Sequence, residues 1–311
     1  MVDNRKIEVK VENLKKTFGT FTAVNGVSFE VYKGEVFGLL GPNGAGKTTT
    51  MNMLTTLLKP TSGKAVVHGF DIEKQSTEVR KNIGVVPQEY SLYDDLTIEQ
   101  NISFFGDLYG IKESELKKKS KYLIEKMELE NFKDTLVEDI SGGMKERLSI
   151  ATSLLPNPSV MFMDEPTTGI DPQNRIKIRG LTKELAREGK TIIYTTHDMD
   201  EAEKLCDRVA IVDHGNVIAL DTPENLKKQI KGKSFTITLQ TEDTSVDEEL
   251  KKLKFVDYVI RSDSEVEVSF IGKSEKDIQD KIKEARVVKV EKRDPNLEDV
   301  FIKLTGRALR D

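Results

Sequence analysis

A glycine-rich stretch that ends in a lysine and a hydroxyl is equipped for phosphate. The run "GLLGPNGAGKTTT" carries G-x-x-x-x-G-K-T from Gly41 to Thr48, directly after a short apolar run and before a helical pattern. Glycines let the backbone N–H groups wrap the phosphates of a nucleotide. Lys47 is placed to reach the β- and γ-phosphates, and the Thr48 hydroxyl to hold Mg²⁺. Gly41, Pro42, Asn43, Gly44, Ala45, Gly46 and Thr49 complete this loop and the helix start. Such a pattern arises by chance in roughly one chain in a hundred of this length. The strand–loop–helix setting makes a merely structural glycine turn rarer still.

A second group of residues matches the first. "SVMFMDEP" ends a buried apolar run in two adjacent carboxylates, Asp164 and Glu165. Asp-Glu pairs are common on surfaces, so the pair gains meaning only beside a phosphate loop. There Asp164 would hold Mg²⁺ through its water shell, and Glu165 would accept a proton from water attacking the γ-phosphate. His197 closes the run "TIIYTTH" at a strand end, where α/β proteins bind ligands, so a γ-phosphate contact fits it. His68 and His214 lack such a setting and read as structural. Three His and one Cys do not make zinc-ligand spacing.

The stretch "ISGGMKERLSIA", from Ile140, holds a second anion nest. Ser141, Gly142 and Gly143 open an amphipathic helical pattern with Leu148, Ile150 and Ala151, and free N–H groups at a helix start attract anions. With one phosphate loop already upstream, the sequence raises the question of whose phosphate this nest holds.

Several elements must position these residues. Val9, Val11, Val27, Phe29 and Val31, with Ile7, alternate as in half-exposed strands. "VFGLLG", "SVMFMDEP", "TIIYTTH" and "RVAIVD" are continuous apolar runs separated by helical patterns, which predicts a parallel sheet covered on both faces. From about 90 to 155 the pattern is helical, with Thr97 and Gln100 at capping-box spacing. Thr222 and Pro223 start a capped helix, and "KGKS" marks a linker. The remainder predicts a split β-α-β-β-α-β unit, with helices at Val246–Leu253 and Ser274–Ala285, followed by a last helix near "NLEDVFIKL".

The chain has 311 residues, 37% apolar and 32% charged, with a net charge of −5. This excludes a disordered chain and gives no bulk basic footprint, so nucleic acid is not an expected partner. "KKKSK" reads as one solvated helix face. Cys206 is expected to be a small core residue in a reducing compartment. The opening residues "MVDNRKIEVK" contain no apolar stretch, so no leader segment is expected, and no run approaches the roughly 18 apolar residues that span a bilayer.

From about residue 5 to 228 these pieces resemble the nucleotide-binding subunit of ABC transporters. Gln88 in "GVVPQE" matches the family's Q-loop glutamine, which senses Mg²⁺ and the attacking water and touches the membrane subunit. Ser141-Gly142-Gly143 matches the signature motif, Gly169-Ile170-Asp171-Pro172 the D-loop, and His197 the switch histidine. Phe18 falls where an aromatic stacks on adenine; an ordinary core phenylalanine is the alternative. Met144 departs from the usual Gln, but the nest needs the hydroxyl and the glycine N–H groups more than that side chain. "SGGM" and the ending "DPNLEDVFIKLTGR" resemble the daunorubicin-resistance branch of exporter ATPases.

The resemblance implies an α/β fold of the ABC-type P-loop NTPases. It would have a parallel core sheet, an N-terminal antiparallel β portion, a helical insert and a small α+β C-terminal domain. Residues 1–228 would form the ATP-binding domain and 229–311 an accessory one. The implied ligands are ATP, at Phe18, Gly41–Thr49, Gln88, Ser141–Gly143 and Asp171, and Mg²⁺, at Thr48, Gln88 and Asp164. Catalysis would fall to Glu165, His197 and Gln88. Two subunits, either copies or homologues, would face head to tail, each nest closing on the partner's ATP. Separately encoded transmembrane permease subunits would hold the pair on the cytoplasmic face of the cell membrane. The alternatives are a soluble ABC ATPase and a nucleotide-gated binding module; retention of Lys47, Asp164, Glu165 and His197 argues against the module.

Overall fold

The computed structural model describes residues 5–229, 234–253, 256–271, 286–293 and 295–305. Two strands begin it, β1 (Ile7–Phe18) and β2 (Phe21–Tyr32), paired antiparallel around a turn at Gly19, whose φ is +56°. Val9, Val11, Val27, Phe29 and Val31 are buried, as the alternation predicts, but Ile7 is exposed at the strand's outer end, and Leu14 is buried out of phase where the pairing register shifts. The sheet gains β4 (Ser62–Val67) and β5 (Phe70–Asp71) and runs β2-β1-β4-β5.

The central sheet runs β10-β9-β3-β8-β7-β6, comprising β3 (Val36–Leu40), β6 (Ile83–Val86), β7 (Val160–Asp164), β8 (Thr191–Thr196), β9 (Arg208–Asp213) and β10 (Asn216–Asp221). β3 pairs parallel with β8 and β9, and β7 parallel with β6 and β8. Each residue of β3 and β7 is buried, which is why those segments read as unbroken apolar runs. Because β8 lies between β3 and β7, the C-terminal ends of all three strands emerge together. Helix α1 (Lys47–Leu54) contacts β2 and β4 of one sheet and β7 of the other. Its Met53 and Leu54 join Phe29, Phe37, Phe162 and Ile193 in one core, where Phe29 stacks on Phe37 with centroids 5.1 Å apart.

After α2 (Ser76–Asn82) comes the helical insert: α3 (Ile98–Leu108), α4 (Glu113–Lys126), two short 3₁₀ turns and α5 (Gly142–Leu154). Thr97 and Gln100 form the expected capping box, with both reciprocal hydrogen bonds present. Helix α5 departs from the amphipathic expectation. Ten of its residues are buried, because α3, α4, α6 (Pro172–Arg187) and β6 all contact it. Cys206 is buried as expected, immediately after α7 (Met199–Leu205), where its sulfur lies against Gly38 of β3.

The chain divides into two compact units, the first Met1–Asp198 with Lys204–Leu220, the second Met199–Glu203 with Asp221–Asp311. In the second, α8 (Pro223–Lys228) starts at its Thr222 cap and contacts α10 (Leu297–Thr305). The antiparallel sheet there runs β12-β13-β11-β14: β11 (Ser234–Gln240), β12 (Val256–Ser262), β13 (Glu265–Ile271) and β14 (Arg286–Arg293). This is the strand order of the split pattern. Leu239, Val246, Leu250, Val266 and Val268 form its core, Val246 and Leu250 coming from α9 (Ser245–Lys251). The helix expected at Ser274–Ala285 and the linker's Lys231–Lys233 lie outside the described residues.

Candidate functional site

Gly41 leaves β3 so tightly that a Cβ there would sit 2.2 Å from the Val212 carbonyl oxygen. Gly46, at φ +104°, caps α1, and a Cβ there would sit 2.5 Å from the Ala23 carbonyl. Neither place accepts another residue without displacing backbone. No side chain caps α1, so the first-turn N–H groups around Lys47, Thr48 and Thr49 remain for an anion. Pro42, Asn43, Gly44 and Ala45 form the connecting loop, with Ala45 N–H bonded back to the Pro42 carbonyl at 3.1 Å.

Lys47 is only 4% exposed. Its Nζ donates to the Gly41 carbonyl at 2.7 Å and the Pro42 carbonyl at 3.2 Å, and lies 3.0 Å from Glu165 Oε1. The ammonium therefore closes the loop on itself and pairs with the carboxylate brought by β7. Glu165 follows the last residue of that strand with φ +48°, a left-handed conformation that costs about 1–3 kcal/mol in a non-glycine residue. Its N–H donates to the Thr195 carbonyl and to Thr195 Oγ1 at 2.9 Å. Its other oxygen, Oε2, accepts from Thr168 Oγ1 at 3.1 Å and lies 2.9 Å from His197 Nδ1. Burial works to raise the Glu165 carboxyl, but the Lys47 charge and then His197 outweigh it, so its pKa lies below the ordinary value.

Asp164 is buried and accepts a short hydrogen bond from Thr195 Oγ1. Thr48, Gln88 and Asp164 line one cleft of about 650 Å³. These are a hydroxyl, an amide and a carboxylate, all oxygen donors. That set suits a small hard cation that takes its remaining ligands from water and substrate phosphates. Among the described residues no group of three or more His, Cys, Asp and Glu forms a cage for a metal.

Phe18 is 48% exposed, so the core alternative fails: its ring lies at the hairpin tip with Lys16 Nζ 5.1 Å from its centre. His68 bonds Glu8 through Nδ1, and His214 is exposed in the turn between β9 and β10.

The second nest is built differently. Ser141 caps α5, its Oγ accepting from Met144 N–H at 3.3 Å, and Ser141 and Gly142 are exposed. Tyr90 Oη donates to the Gly142 carbonyl at 3.2 Å, and Ile170 borders Gly142. Asp171 caps α6, accepting from the Gln173 and Asn174 N–H groups at 3.1 Å each. Arg175 Nε donates to the Ile170 carbonyl at 2.8 Å and its guanidinium reaches Asp198, next to His197. Thus Lys47, Glu165 and His197 are linked through direct contacts, with Asp164 joined to them through Thr195, while Ser141–Gly143 and Asp171 belong to a second cluster.

Sequence reasoning missed Thr168, Thr195, Tyr90, Glu146, Arg147 and Asn174. For Glu146 the sequence held no signal, because a charged residue between Lys145 and Arg147 reads as part of a solvated face, and elements distant in sequence bury it. It is buried with Oε1 unpaired, and burial pushes its carboxyl up to about 8.

The family model described as "ABC transporter" matches residues 24–168, and that of the C-terminal domain of DrrA1-3-like ATP-binding proteins matches 222–305. The linearmycin resistance ATP-binding protein LnrL of Bacillus subtilis is 39% identical over 310 residues, 97% of this chain and 100% of that one. The Nod factor export ATP-binding protein I of Paraburkholderia xenovorans is 38% identical over 304 residues, 97% and 98% of the two chains. Among solved structures, cbiO1 of Clostridium perfringens, part of the ABC transporter complex cbiONQ, superimposes with TM-score 0.67. It is 32% identical and covers 72% of this chain and 92% of that one. A dimeric post-hydrolysis state of an ATP-binding cassette bound to ADP and Pi gives TM-score 0.63 at 28% identity, covering 69% and 98%.

Proposed function

The chain belongs to the ATP-binding subunits of ABC transporters, and from that premise we propose how its residues divide the work of hydrolysis and coupling. It is an ATPase homologous to subunits named for export and resistance. The observation that carries the reading is the chain of contacts from Lys47 through Glu165 to His197, beside Asp164.

The loop Gly41–Thr49 binds the ATP phosphates and Phe18 stacks on the adenine. Thr48, Asp164 and Gln88 would hold Mg²⁺, which supplies charge neutralisation on the phosphate oxygens. Lys47 turns from Glu165 to the β/γ-phosphates, and that removes the strongest influence lowering the Glu165 pKa. Glu165 then becomes a better base for the attacking water, and His197 holds its carboxylate in place. Gln88 orients that water.

Residues 1–228 act as the cassette, with the helical subdomain at about 90–155, and residues 229–311 as an accessory domain. The exposed nest Ser141–Gly143, with Asp171, closes on ATP held by a second copy or a homologous ATPase subunit, head to tail. Separately encoded transmembrane permease subunits dock at the cleft that holds Gln88, where Leu57, Val85 and Tyr109 are exposed apolar surface. Among the described residues no helix is long and apolar enough to cross a membrane, which fits a peripheral subunit on the cytoplasmic face. The direction is export, as in the name of the Nod factor relative.

The test is phosphate release by purified chain with MgATP, compared with Glu165→Gln. The amide keeps shape and loses basicity, so release should fall by about 10²-fold or more while ATP stays bound and size-exclusion chromatography shows a dimer. A variant hydrolysing at the parental rate would remove Glu165 from the chemistry.

A further inference from the structure

Between α5 and α6 lies a polar chain that phosphate binding does not account for. Arg147 Nη1 donates to Asn174 Oδ1 at 2.8 Å, and Asn174 Nδ2 donates to Asp171 Oδ2 at 2.7 Å. Asn174 thus turns its oxygen to a cation and its nitrogen to an anion. A primary amide does this without adding charge. A carboxylate would lose the donor and face Asp171 with like charge.

The contact is exacting on both sides. Arg147 is buried, its Nε has no hydrogen-bond partner, and Asn174 accepts its one side-chain hydrogen bond among the described residues. On the other side, a Cβ at Gly143 would lie 2.4 Å from Asn174 Cγ and 2.7 Å from its Cβ. The second glycine of the nest is therefore matched to Asn174. Moving this amide would leave a buried guanidinium without its partner and would free the cap of α6 from the nest.

We propose that Asn174 is a positioning residue that holds the Ser141–Gly143 nest in register with Asp171, so that one preset edge of the chain meets the ATP bound by its partner. This rests on the head-to-tail reading above. Asn174 touches no phosphate in this role. It acts through Arg147, Gly143 and Asp171, and its loss should weaken dimerisation while leaving the chain's own phosphate loop intact.

The experiment uses the full chain in the Glu165→Gln background, so that ATP is bound without turnover. Asn174→Leu keeps the volume and removes both hydrogen bonds, while Asn174→Gln restores a longer amide. ATP affinity is measured on dilute monomer, and ATP-dependent dimerisation by analytical ultracentrifugation. Asn174→Leu should weaken dimerisation about tenfold, as expected for loss of charge-assisted hydrogen bonds, with monomer ATP affinity unchanged. Asn174→Gln should recover part of the loss. Should the Leu variant fail to fold, Asn174→Ser supplies the same comparison. Unchanged dimerisation overturns the proposal, and so does a parallel loss of monomer ATP binding, which would mark plain structural support. A Glu165→Gln parent that never dimerises with ATP removes the head-to-tail reading itself, and the Asn174 role falls with it.

Discussion

Glu165 and Glu146 are both buried, at 7% and 3% exposure, yet their electrostatics are opposite. Glu165 sits between Lys47, His197 and Thr168, and its carboxyl stays ionised. Glu146 lies in the helix behind the signature nest with an oxygen unpaired, and burial favours its neutral form. The phosphate-loop end therefore stores compensated charge, which on the proposed reading an incoming phosphate rearranges. The nest end instead keeps its interior acid uncharged behind an exposed Ser141 and Gly142 that a phosphate from outside can reach. The charge of a buried acid follows its partners, and the two ends show both cases in one chain.

The largest effect should come from the compensated end. Lys47→Ala removes the cation proposed to grip the phosphates, so ATP affinity of the monomer should fall about 10- to 100-fold, as for loss of a charged hydrogen bond. Titration of a fluorescent ATP analogue measures it. The variant also takes away the main influence holding the Glu165 carboxyl low. In the parent, that group's stabilising contribution is present above its ordinary pKa of 4.5 and lost as pH falls through its lower folded value. That component of acid sensitivity should shrink in Lys47→Ala, read from Tm against pH. By contrast Ser141→Arg, which fills the nest, should leave monomer ATP affinity within about twofold of the parent, since surface changes away from a site have small effects. Equal losses in both variants would erase the distinction between the two ends.

A smaller effect concerns Glu146. Its folded pKa is raised from 4.5 to about 8, so its favourable contribution is complete below pH 4.5 and declines as pH rises to 8. The decline should amount to a few kcal/mol at most. Glu146→Gln keeps the shape without a titrating proton. The variant's Tm should fall less than the parent's between pH 5 and 8, and chemical denaturation across that range measures the difference. A parent and variant with parallel profiles would mean that Glu146 is paired in solution.

The parts of this molecule legible in the sequence are those where local chemistry leaves little choice. Gly41 and Gly46 each face a carbonyl within 2.6 Å of a hypothetical Cβ, and the unbroken apolar runs of β3 and β7 announce strands buried on both faces. Strand β6 escaped because "IGVV" is four residues long and contains a glycine; pairing with β7 makes it a strand. The short β5 owes its pairing to β4 in the same way. α5 looked amphipathic because Lys145, Glu146 and Arg147 are charged, whereas Glu146 and Arg147 are buried by neighbours distant in sequence. Asn174 was invisible for the same reason. At the third position of a helix it resembles any exposed polar residue, and its partner Arg147 stands 27 positions earlier.

The central claim is that each ATP is held by the phosphate loop of one chain and the Ser141 nest of another. Lys47→Ala and Ser141→Arg, each in the Glu165→Gln background, test it by mixing. Either variant alone should form a homodimer with two damaged sites and retain little radiolabelled ATP on a filter. In a mixed dimer, one site carries both defects and the other combines an intact Lys47 with an intact Ser141. The account predicts that equal amounts of two inactive proteins, with mixed dimers confirmed by differential tags, retain up to about one ATP per mixed dimer. Absence of rescue in confirmed mixed dimers would place both halves of the site on one chain and contradict the account.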